Sequence, residues 1–471
     1  MRMTVGELAA HASGEVSNGD PETVVGAFGF DSRALEPGSC FVALRGHRDG
    51  HDFVDDALAH GAVAALVSRP VPLHQAPDGA LVAVDDTVAA LGRVAHRVRT
   101  AQPQLEVVAV TGSTGKTSTK DLLHGILAGS GRVAHANPES YNNEFGLPIT
   151  LLNMPPTAGV VVTEMGERFP GDIAALCAIA VPTVGVVTNV GLAHAELLGG
   201  PEGAARAMAE LLESLPESAV AVLNADDPQT HWLSTRAAAR VVTVGTTAAA
   251  DRVVEDLRVD DDLRPSFVLD GTRFRVPLRG AHQALNAALA VVVAEELGLA
   301  PADIASALAH VQPSRWRMEI DVSAADVTVV NDAYNANPAS MDAALHALAR
   351  LPVAGRRIAV LGDMRELGPH ADAAHAEVGR LASALGVDVV VGVGEGGAAI
   401  AAAARGATIH HADDAESALA VARNLVAPGD AVLVKASRAL HLERVAAALL
   451  SDAGADPAAS HTSANDTGGG S

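Results

Sequence analysis

The chain has few aromatic side chains, few cysteines and few basic residues, and each shortage excludes a class of protein. Aromatic residues make up only 3% of it, so its cores must consist mainly of Ala, Val and Leu. Its two cysteines, Cys40 and Cys177, argue against a disulfide framework or a zinc site and fit a reducing compartment. The formal net charge of −23 argues against a nucleic-acid partner.

Long apolar runs are missing as well. The stretches rich in Ala and Val are interrupted by charged residues or Pro, so we expect no membrane span, and the first eight residues lack the apolar core of a signal peptide. These absences favour a cytoplasmic protein. The 471 residues, 49% of them hydrophobic, suffice for about three domains with sizeable cores.

The central feature of the sequence is the stretch 107–118, VVAVTGSTGKTS, which has the order strand, glycine turn, helix. Residues 107–110 predict a buried strand, and the residues after the turn have helical apolar spacing. Backbone N–H groups and the helix dipole at such a turn favour a phosphate group. In this pattern Lys116 reaches the β- and γ-phosphates and the Thr117 hydroxyl holds Mg²⁺. The predicted nucleotide-binding residues here are Gly112, Ser113, Thr114, Gly115, Lys116, Thr117 and Ser118.

The spacing of this turn departs from the standard phosphate loop. The pattern G-x-x-x-x-G-K-[ST] would need glycine at position 110, where Val110 stands, so the match is shorter and less specific. The alternative is a glycine-rich turn that binds nothing. We favour phosphate binding because strand, Gly-Lys-Thr and helix come in the right order.

Two further predicted strands bring polar side chains toward this turn. Residues 160–164 predict a buried strand that ends at Glu164, and residues 183–190 predict another that leads to His194. A carboxylate at a strand end beside a phosphate loop is well placed to hold Mg²⁺. Thr117, Glu164 and His194 are therefore the candidate metal ligands, although His194 without this context is an ordinary loop histidine.

Repeated strand–helix units predict an α/β fold with parallel sheets. We expect a small N-terminal α/β domain at 1–101, a central P-loop-type domain at 102–320, a C-terminal Rossmann-like domain at 321–452 and a disordered tail at 453–471. In the first domain, the polar clusters 31–33 and 49–51 follow strands, where α/β folds bind ligands. Ordinary turn chemistry explains either cluster taken alone.

From about residue 3 to 450 the chain resembles the Mur ligase family. The segments that carry the resemblance are DSR at 31–33, TGSTGKT at 111–117, YNNE at 141–144, EMG at 164–166, NDAYNANP at 331–338 and VLGDMRELG at 360–368. The resemblance implies a monomeric ATP-dependent amide ligase of peptidoglycan synthesis that uses Mg²⁺. ATP would phosphorylate the terminal carboxylate of a UDP-linked muramoyl tripeptide, and the amine of D-alanyl-D-alanine would attack the acyl phosphate.

The resemblance also implies residue roles. Lys116, Glu164 and His194 would be catalytic. Asn286 would contact the adenine, Arg317 the phosphates and Asp332 the ribose. The uridine-diphosphate end would be held by Ser32, Arg33, Asp49, Gly50 and His51. The peptide would face Asn142, Asn143, Lys435 and Arg438.

One position departs from the family pattern. The resemblance places a carbamylated lysine, an anionic metal ligand, fourteen residues after His194, where this chain has Met208. A thioether suits soft metals rather than Mg²⁺, so the metal site has lost an expected ligand. Either Glu210, a water or a supplied anion substitutes, or activity is weakened. Met208 is also well explained as an apolar helix residue packed in a core.

This departure leaves two other functions open. One is a paralogous amide ligase of a specialised-metabolite pathway, with a different carboxylate and amine. The other is a non-catalytic homologue that binds nucleotide. The presence of Lys116, Thr117, Glu164, His194 and Asp332 together argues against the second.

Overall fold

The computed structural model describes residues 2–191, 195–312 and 314–451. The chain forms two compact units. The first comprises residues up to 260, 264–314 and 366–368, and the second comprises 261–263, 315–365 and the residues from 369 onward. The predicted tail at 453–471 lies outside the described residues.

The N-terminal part of the first unit is a five-stranded sheet with helices. Its strands lie in the order Glu15–Asn18, Ala80–Ala83, Ala64–Val67, Ser39–Val42, Ala27–Gly29. Only the first pairing is antiparallel. The helices are Val5–Ala12, Val54–Ala59 and Thr87–Thr100, and the 3-10 turn Gly50–Phe53 lies directly before the second helix. The short strands Met3–Thr4 and Val24–Val25 pair with each other in a separate two-stranded sheet. Because the last four strands of the five-stranded sheet are parallel, the loops after them share one edge of that sheet.

The central part of the first unit is a seven-stranded, fully parallel sheet. Its strands lie in the order Arg252–Val253, Arg240–Gly245, Val220–Asn224, Val184–Val187, Glu106–Thr111, Val160–Glu164, Ala134–Ala136. Helices cover it: Lys116–Gly129, Gly146–Leu152, Asp172–Ala180, Ala195–Leu198, Pro201–Ser214, Thr230–Ser234, Gln283–Glu296 and Pro301–Leu308. A three-stranded antiparallel sheet, Glu255–Val259, Pro265–Leu269 and Thr272–Arg275, follows. None of the predicted elements corresponds to this sheet.

The second unit contains a six-stranded sheet. Its strands lie in the order Glu319–Val322, Thr328–Asn331, Ala431–Lys435, Arg357–Gly362, Val389–Val393, Thr408–Ala412, and only the first pairing is antiparallel. The helices are Pro338–Arg350, Ala371–Ala384, Gly394–Ala403, Ala415–Leu425 and Glu443–Ser451, with 3-10 turns at Gly368–His370 and Arg438–Leu440. Strand Glu319–Val322 pairs with Thr328–Asn331. A domain boundary at 320 would therefore cut through this strand, and the compact units divide instead at 314/315.

The strands predicted around the phosphate loop are confirmed, with one difference. The predicted strand 107–110 is Glu106–Thr111, and 160–164 is found as Val160–Glu164. The strand predicted at 183–190 ends at Val187, because Thr188 and Asn189 turn toward the phosphate loop. No helix among the described residues is both long enough and apolar enough to cross a membrane.

Candidate active site

The phosphate loop, residues 112–115, joins the central strand Glu106–Thr111 to the helix Lys116–Gly129. Gly112 has φ +133° and Gly115 has φ +79°, conformations that other residues rarely adopt. A side chain on Gly112 would collide with the Thr188 hydroxyl. The loop thus brings the N-terminus of a fourteen-residue helix to the carboxyl edge of the sheet, an arrangement that favours the binding of an anion.

Residues after the neighbouring strand hold this loop in shape. Asn189 Oδ1 accepts a hydrogen bond from the Thr114 amide at 3.1 Å, and Asn189 Nδ2 donates to the Thr114 carbonyl at 2.9 Å. The Thr188 hydroxyl donates to the same carbonyl at 2.5 Å. The Ser113 hydroxyl accepts from the Gly191 amide at 2.7 Å. Thr188 and Asn189 are not among the predicted site residues. They are polar residues at the end of a strand, which is the pattern that predicted Glu164.

Glu164 lies at the end of its strand with both carboxylate oxygens engaged. The Thr117 hydroxyl donates to Oε2 at 2.7 Å, and Asn142 Nδ2 donates to Oε1 at 2.8 Å. Asn137 Oδ1 accepts from the Glu164 backbone amide at 2.8 Å. Glu164 is 2% exposed. The predicted proximity of Thr117 and Glu164 is confirmed, and Asn142, expected to face the peptide, orients this carboxylate.

Lys116 is folded back on the loop. Its ammonium donates to the Gly112 carbonyl at 2.5 Å and lies 3.9 Å from Oε2 of Glu167. Glu167 is 1% exposed, and its Oε2 also accepts a long hydrogen bond from the Thr111 hydroxyl at 3.4 Å. Sequence analysis did not single out Glu167. A glutamate in the loop after a strand gives no sign of burial in the sequence.

Asn286 lies beside the phosphate loop. Its side chain is so close to Gly115 that any Cβ there would meet it. Asn286 Nδ2 donates to Gln283 Oε1 at 2.9 Å, and Gln283 Nε2 lies 3.5 Å from the Ser118 hydroxyl. Both residues are almost fully buried. The helix Gln283–Glu296 therefore packs its polar first turn against the loop that is predicted to bind nucleotide.

The remaining predicted metal ligand, His194, lies outside the described residues. Within 2–191, 195–312 and 314–451, no three His, Cys, Asp or Glu side chains gather as a metal-binding group. Met208 is fully buried in the helix Pro201–Ser214. Glu210, considered as its substitute, accepts from the amides of Gly171 at 2.7 Å and Ala174 at 3.0 Å. Both its oxygens thus bind the first turn of another helix.

The N-terminal sheet brings its two predicted clusters to one edge. Arg33 Nε and Nη2 donate to the two carboxylate oxygens of Asp31 at 2.9 and 2.8 Å. This contact lowers the pKa of Asp31 to about 2. Ser32 lies between them in the same turn, and the Arg33 side chain is 87% exposed. Arg33 is therefore accessible to an anionic ligand.

His51 binds two neighbours within the N-terminal sheet domain through its ring nitrogens. Its ring is buried, and its Nδ1 lies 2.6 Å from Asp49 Oδ1. Its Nε2 accepts from the Ser68 amide at 2.9 Å, so Nδ1 carries the proton that bonds to Asp49. With both nitrogens engaged, the ring cannot hold the uridine-diphosphate end directly. Gly50 packs against the Leu44 backbone, where a Cβ would not fit.

The Asp49 carboxylate is shared between two neighbours. It accepts the bonds from His51 and lies 3.2 Å from Arg69 Nη2. Hydrogen bonds from the backbone and ring of His51 lower the pKa of Asp49 to about 2. Asp49 and His51 thus fix the shape of the loop 45–51, whose exposed basic residues are Arg45, His47 and Arg48.

Tyr141 and Asn143 secure the loop that precedes the helix Gly146–Leu152. Asn143 Oδ1 accepts from the Gly146 amide at 2.9 Å, so this amide oxygen binds the helix rather than a peptide. The Tyr141 ring packs on Phe30, with 5.6 Å between ring centroids. The loop is thereby tied to the N-terminal sheet.

In the C-terminal unit, Asp332 and Lys435 form an ion pair at the ends of two neighbouring parallel strands. Asp332 directly follows the strand Thr328–Asn331, and Lys435 is the last residue of the strand Ala431–Lys435. Lys435 Nζ donates to Asp332 Oδ2 at 2.6 Å and to the Asn335 carbonyl at 2.9 Å, and Asp332 Oδ1 accepts from the Met318 amide at 3.1 Å. The Lys435 side chain is 3% exposed. Lys435 therefore holds Asp332 in place, and its predicted contact with the peptide stays a prediction.

Arg317 and Arg438 both lie over aromatic rings of this unit. The Arg317 guanidinium is 4.2 Å from the centroid of Tyr334, and that of Arg438 is 4.5 Å from Trp316. Arg438 also pairs with Glu443 at 2.7 Å. The aromatic rings thus hold the two guanidinium groups in fixed positions, and neither group is fully buried.

Comparisons with known proteins identify the family of this chain. Three family models match the chain: "Mur ligase family, catalytic domain" at 25–99, "Mur ligase middle domain" at 110–294 and "Mur ligase, glutamate ligase domain" at 316–438. The UDP-N-acetylmuramoyl-tripeptide--D-alanyl-D-alanine ligase of Mycobacterium tuberculosis (strain ATCC 25618 / H37Rv) is 40% identical over 506 aligned residues, covering 96% of this chain and 98% of the relative. This chain belongs to the Mur ligase family.

Solved Mur ligase structures share the fold. A crystal structure of MurF from Acinetobacter baumannii has a TM-score of 0.85 at 30% identity and covers 96% of this chain and 99% of that one. MurF ligase from Thermotoga maritima, crystallised in complex with ADP, has a TM-score of 0.75 at 32% identity and covers 89% and 96%. The predicted α/β fold and family are confirmed.

Proposed function

We propose that this Mur ligase joins D-alanyl-D-alanine to UDP-N-acetylmuramoyl-tripeptide at the expense of ATP. The observation that carries the proposal is the contact between Thr117 and Glu164 at the edge of the phosphate loop. A hydroxyl and a carboxylate beside a helix N-terminus are the ligands that a magnesium nucleotide requires. The full-length similarity to the tuberculosis enzyme supports the two substrates.

The residues at the phosphate loop fit Mg²⁺. Thr117 and Glu164 offer hard oxygen ligands, Oε1 of the adjacent Glu167 has no hydrogen-bond partner among the described residues, and His194 follows the neighbouring strand in sequence. When bound, Mg²⁺ would neutralise the charge on the phosphates. The chain's own contribution is to position the γ-phosphate with the loop amides and to meet its charge with Lys116.

The other predicted residues take supporting places in this proposal. Asn286, beside Gly115, contacts the adenine nucleotide. Asp332, held by Lys435, binds the ribose, and Arg317 binds the phosphates. Arg33 and the loop 45–51 hold the uridine diphosphate, with Asp49 and His51 as positioning residues. Arg438 meets the peptide.

The proposed reaction has two steps. The terminal carboxylate of the tripeptide attacks the γ-phosphorus of ATP, which gives an acyl phosphate and ADP. The free amine of D-alanyl-D-alanine then attacks the acyl carbon, which forms the amide and releases phosphate and a proton. The enzyme would act as a cytoplasmic monomer.

One experiment tests this function. Phosphate release is measured with ATP, Mg²⁺, D-alanyl-D-alanine and UDP-tripeptides that carry either diaminopimelate or lysine at residue three. We expect turnover that requires both the tripeptide and the dipeptide. ATP consumption that ignores D-alanyl-D-alanine would contradict the proposal.

Met208 is the one observation that favours a second candidate, a paralogous ligase with another carboxylate and amine. The Met208→Lys variant with bicarbonate is therefore assayed beside the wild type, with Met208→Leu as the control for packing. Turnover only in Met208→Lys would indicate a decayed ligase site. Inactivity of all three on these substrates would favour the specialised-metabolite function, and nucleotide binding without any turnover across a wider substrate panel would favour the non-catalytic homologue.

A further inference from the structure

Glu167 is a buried acid with an incomplete set of partners. It is 1% exposed, its Oε2 has a 3.4 Å contact with the Thr111 hydroxyl, and its Oε1 has no hydrogen-bond partner among the described residues. Native proteins seldom leave a buried polar atom unpaired, and such an atom calls for an explanation such as a catalytic role or a missing ion. One cation lies close to it: Lys116 Nζ is 3.9 Å from Oε2.

The neighbouring acids have hydrogen bonds to both of their carboxylate oxygens. Both oxygens of Glu164 accept hydrogen bonds, one from Thr117 and one from Asn142. Both oxygens of Glu210 bind amides at the start of the helix Asp172–Ala180. Met208 is buried and offers no oxygen. Of these three acids, Glu167 is the one with a carboxylate oxygen that has no hydrogen-bond partner among the described residues.

Lys116 cannot stay beside Glu167 while it serves a nucleotide. Its ammonium now lies between Glu167 and the Gly112 carbonyl, whereas the proposed function places it on the β- and γ-phosphates. Its departure would leave a buried carboxylate without a cation, which is unfavourable. A divalent cation that arrives with the nucleotide supplies the missing charge, and carboxylate oxygen is the ligand that Mg²⁺ and Mn²⁺ prefer.

We propose that Glu167 is a second carboxylate ligand for a divalent cation at the phosphate loop, and that Lys116 occupies its place as a counter-cation until nucleotide binds. This assignment rests on the proposed function only in that the loop binds a nucleotide. It gives the chain an anionic metal ligand that is encoded three residues after Glu164, rather than on the helix that carries Met208.

The test uses Mn²⁺ as the probe and needs no peptide substrate. Binding of Mn²⁺ to the full chain is followed by electron paramagnetic resonance in the presence of ADP. We expect Glu167→Gln to weaken Mn²⁺ binding roughly 10–100-fold, since even indirect partners of a metal ligand have effects of that size. The control Glu202→Gln, an exposed glutamate paired with Arg206, should bind like the wild type.

A second arm separates a metal ligand from a mere partner of Lys116. Without nucleotide, Lys116→Met should bind Mn²⁺ more tightly than the wild type, because the competing ammonium is gone. The double variant Lys116→Met/Glu167→Gln should lose that gain. The Lys116→Met variant leaves Glu167 unchanged, so its expected gain in Mn²⁺ affinity can still be tested, and its absence still overturns the assignment, if Glu167→Gln does not fold as judged by circular dichroism.

Unchanged Mn²⁺ affinity in Glu167→Gln, or no gain in Lys116→Met, would overturn the assignment. If either result is found while the wild-type protein turns over its ligase substrates normally, the proposed function stays intact. The expected Mn²⁺ changes without turnover on the UDP-tripeptide would sustain the metal ligand and refute the function instead.

Discussion

The Thr117 hydroxyl and Oε2 of Glu164 are joined by a 2.7 Å hydrogen bond although the two residues are 47 positions apart in the chain. The contact exists because the phosphate-loop strand and the strand Val160–Glu164 are parallel neighbours with Glu164 opposite Val110. Parallel neighbours present their carboxyl ends at the same edge, so the loop after one strand meets the last residue of the other.

Removal of the Thr117 hydroxyl should impair metal-dependent nucleotide binding. Thr117→Val keeps the shape of the side chain but removes the hydroxyl that donates to Oε2 of Glu164, and a hydrogen bond to a charged group contributes about 1.5–3 kcal/mol. We expect the Mg²⁺ concentration for half-maximal activity to rise at least tenfold. Thr117→Ser, which keeps the hydroxyl, should stay within a few-fold of the wild type. Equal effects of the two variants would show that the methyl group matters rather than the hydroxyl.

Lys116 should matter for phosphoryl transfer and not for the UDP substrate. Lys116→Ala removes the cation that meets the phosphates, and losses of this kind lower kcat roughly 10²–10³-fold. Calorimetric titration with UDP-tripeptide in the absence of ATP should give an affinity close to that of the wild type. Arg206→Ala, an exposed cation elsewhere in the first unit, is the control. Equal loss of catalysis and of UDP-tripeptide binding would refute the separation of the two sites.

The phosphate site could be predicted from the sequence because its signals are local or follow one rule. Residues 106–111 and 160–164 are runs of buried, largely β-branched residues, and a Gly-Lys-Thr turn opens a helix with apolar spacing. Once both strands are placed in a parallel sheet, Glu164 must lie at the same edge as the loop. Asn189 obeys the same rule and could have been found.

Other contacts could not be predicted because they depend on pairings distant in the sequence. His51 is buried because the Ser68 amide bonds to its ring, and Lys435 is occupied by Asp332, 103 positions away. The sequence around Glu167 is typical of a solvated loop, whereas in the fold Thr111 and Lys116 contact its carboxylate. Composition and spacing carry no information about which polar side chains neutralise one another.

The buried pair between Lys435 and Asp332 should dominate the stability of the C-terminal unit. Lys435→Met leaves the Asp332 carboxylate without its cation in a largely buried place, and breaking such a pair costs about 3–5 kcal/mol. We expect a distinctly lower unfolding temperature in calorimetry of the full chain. The double variant Lys435→Met/Asp332→Leu removes both charges and should recover much of the loss. A double variant as unstable as the sum of the single variants would show that the charges are not coupled.

Asp49 should stabilise the protein only above acidic pH. Hydrogen bonds from His51 lower its pKa from 3.8 to about 2 in the folded chain. A carboxylate with a lowered pKa contributes stability above the pKa of the unfolded state, and this contribution is lost as the pH falls toward the folded value. The difference in unfolding temperature between the wild type and Asp49→Asn should therefore be constant from pH 7 to pH 5 and shrink below about pH 4. A difference that stays constant down to pH 3 would mean that His51 depends on the shape of the Asp49 side chain and not on its charge.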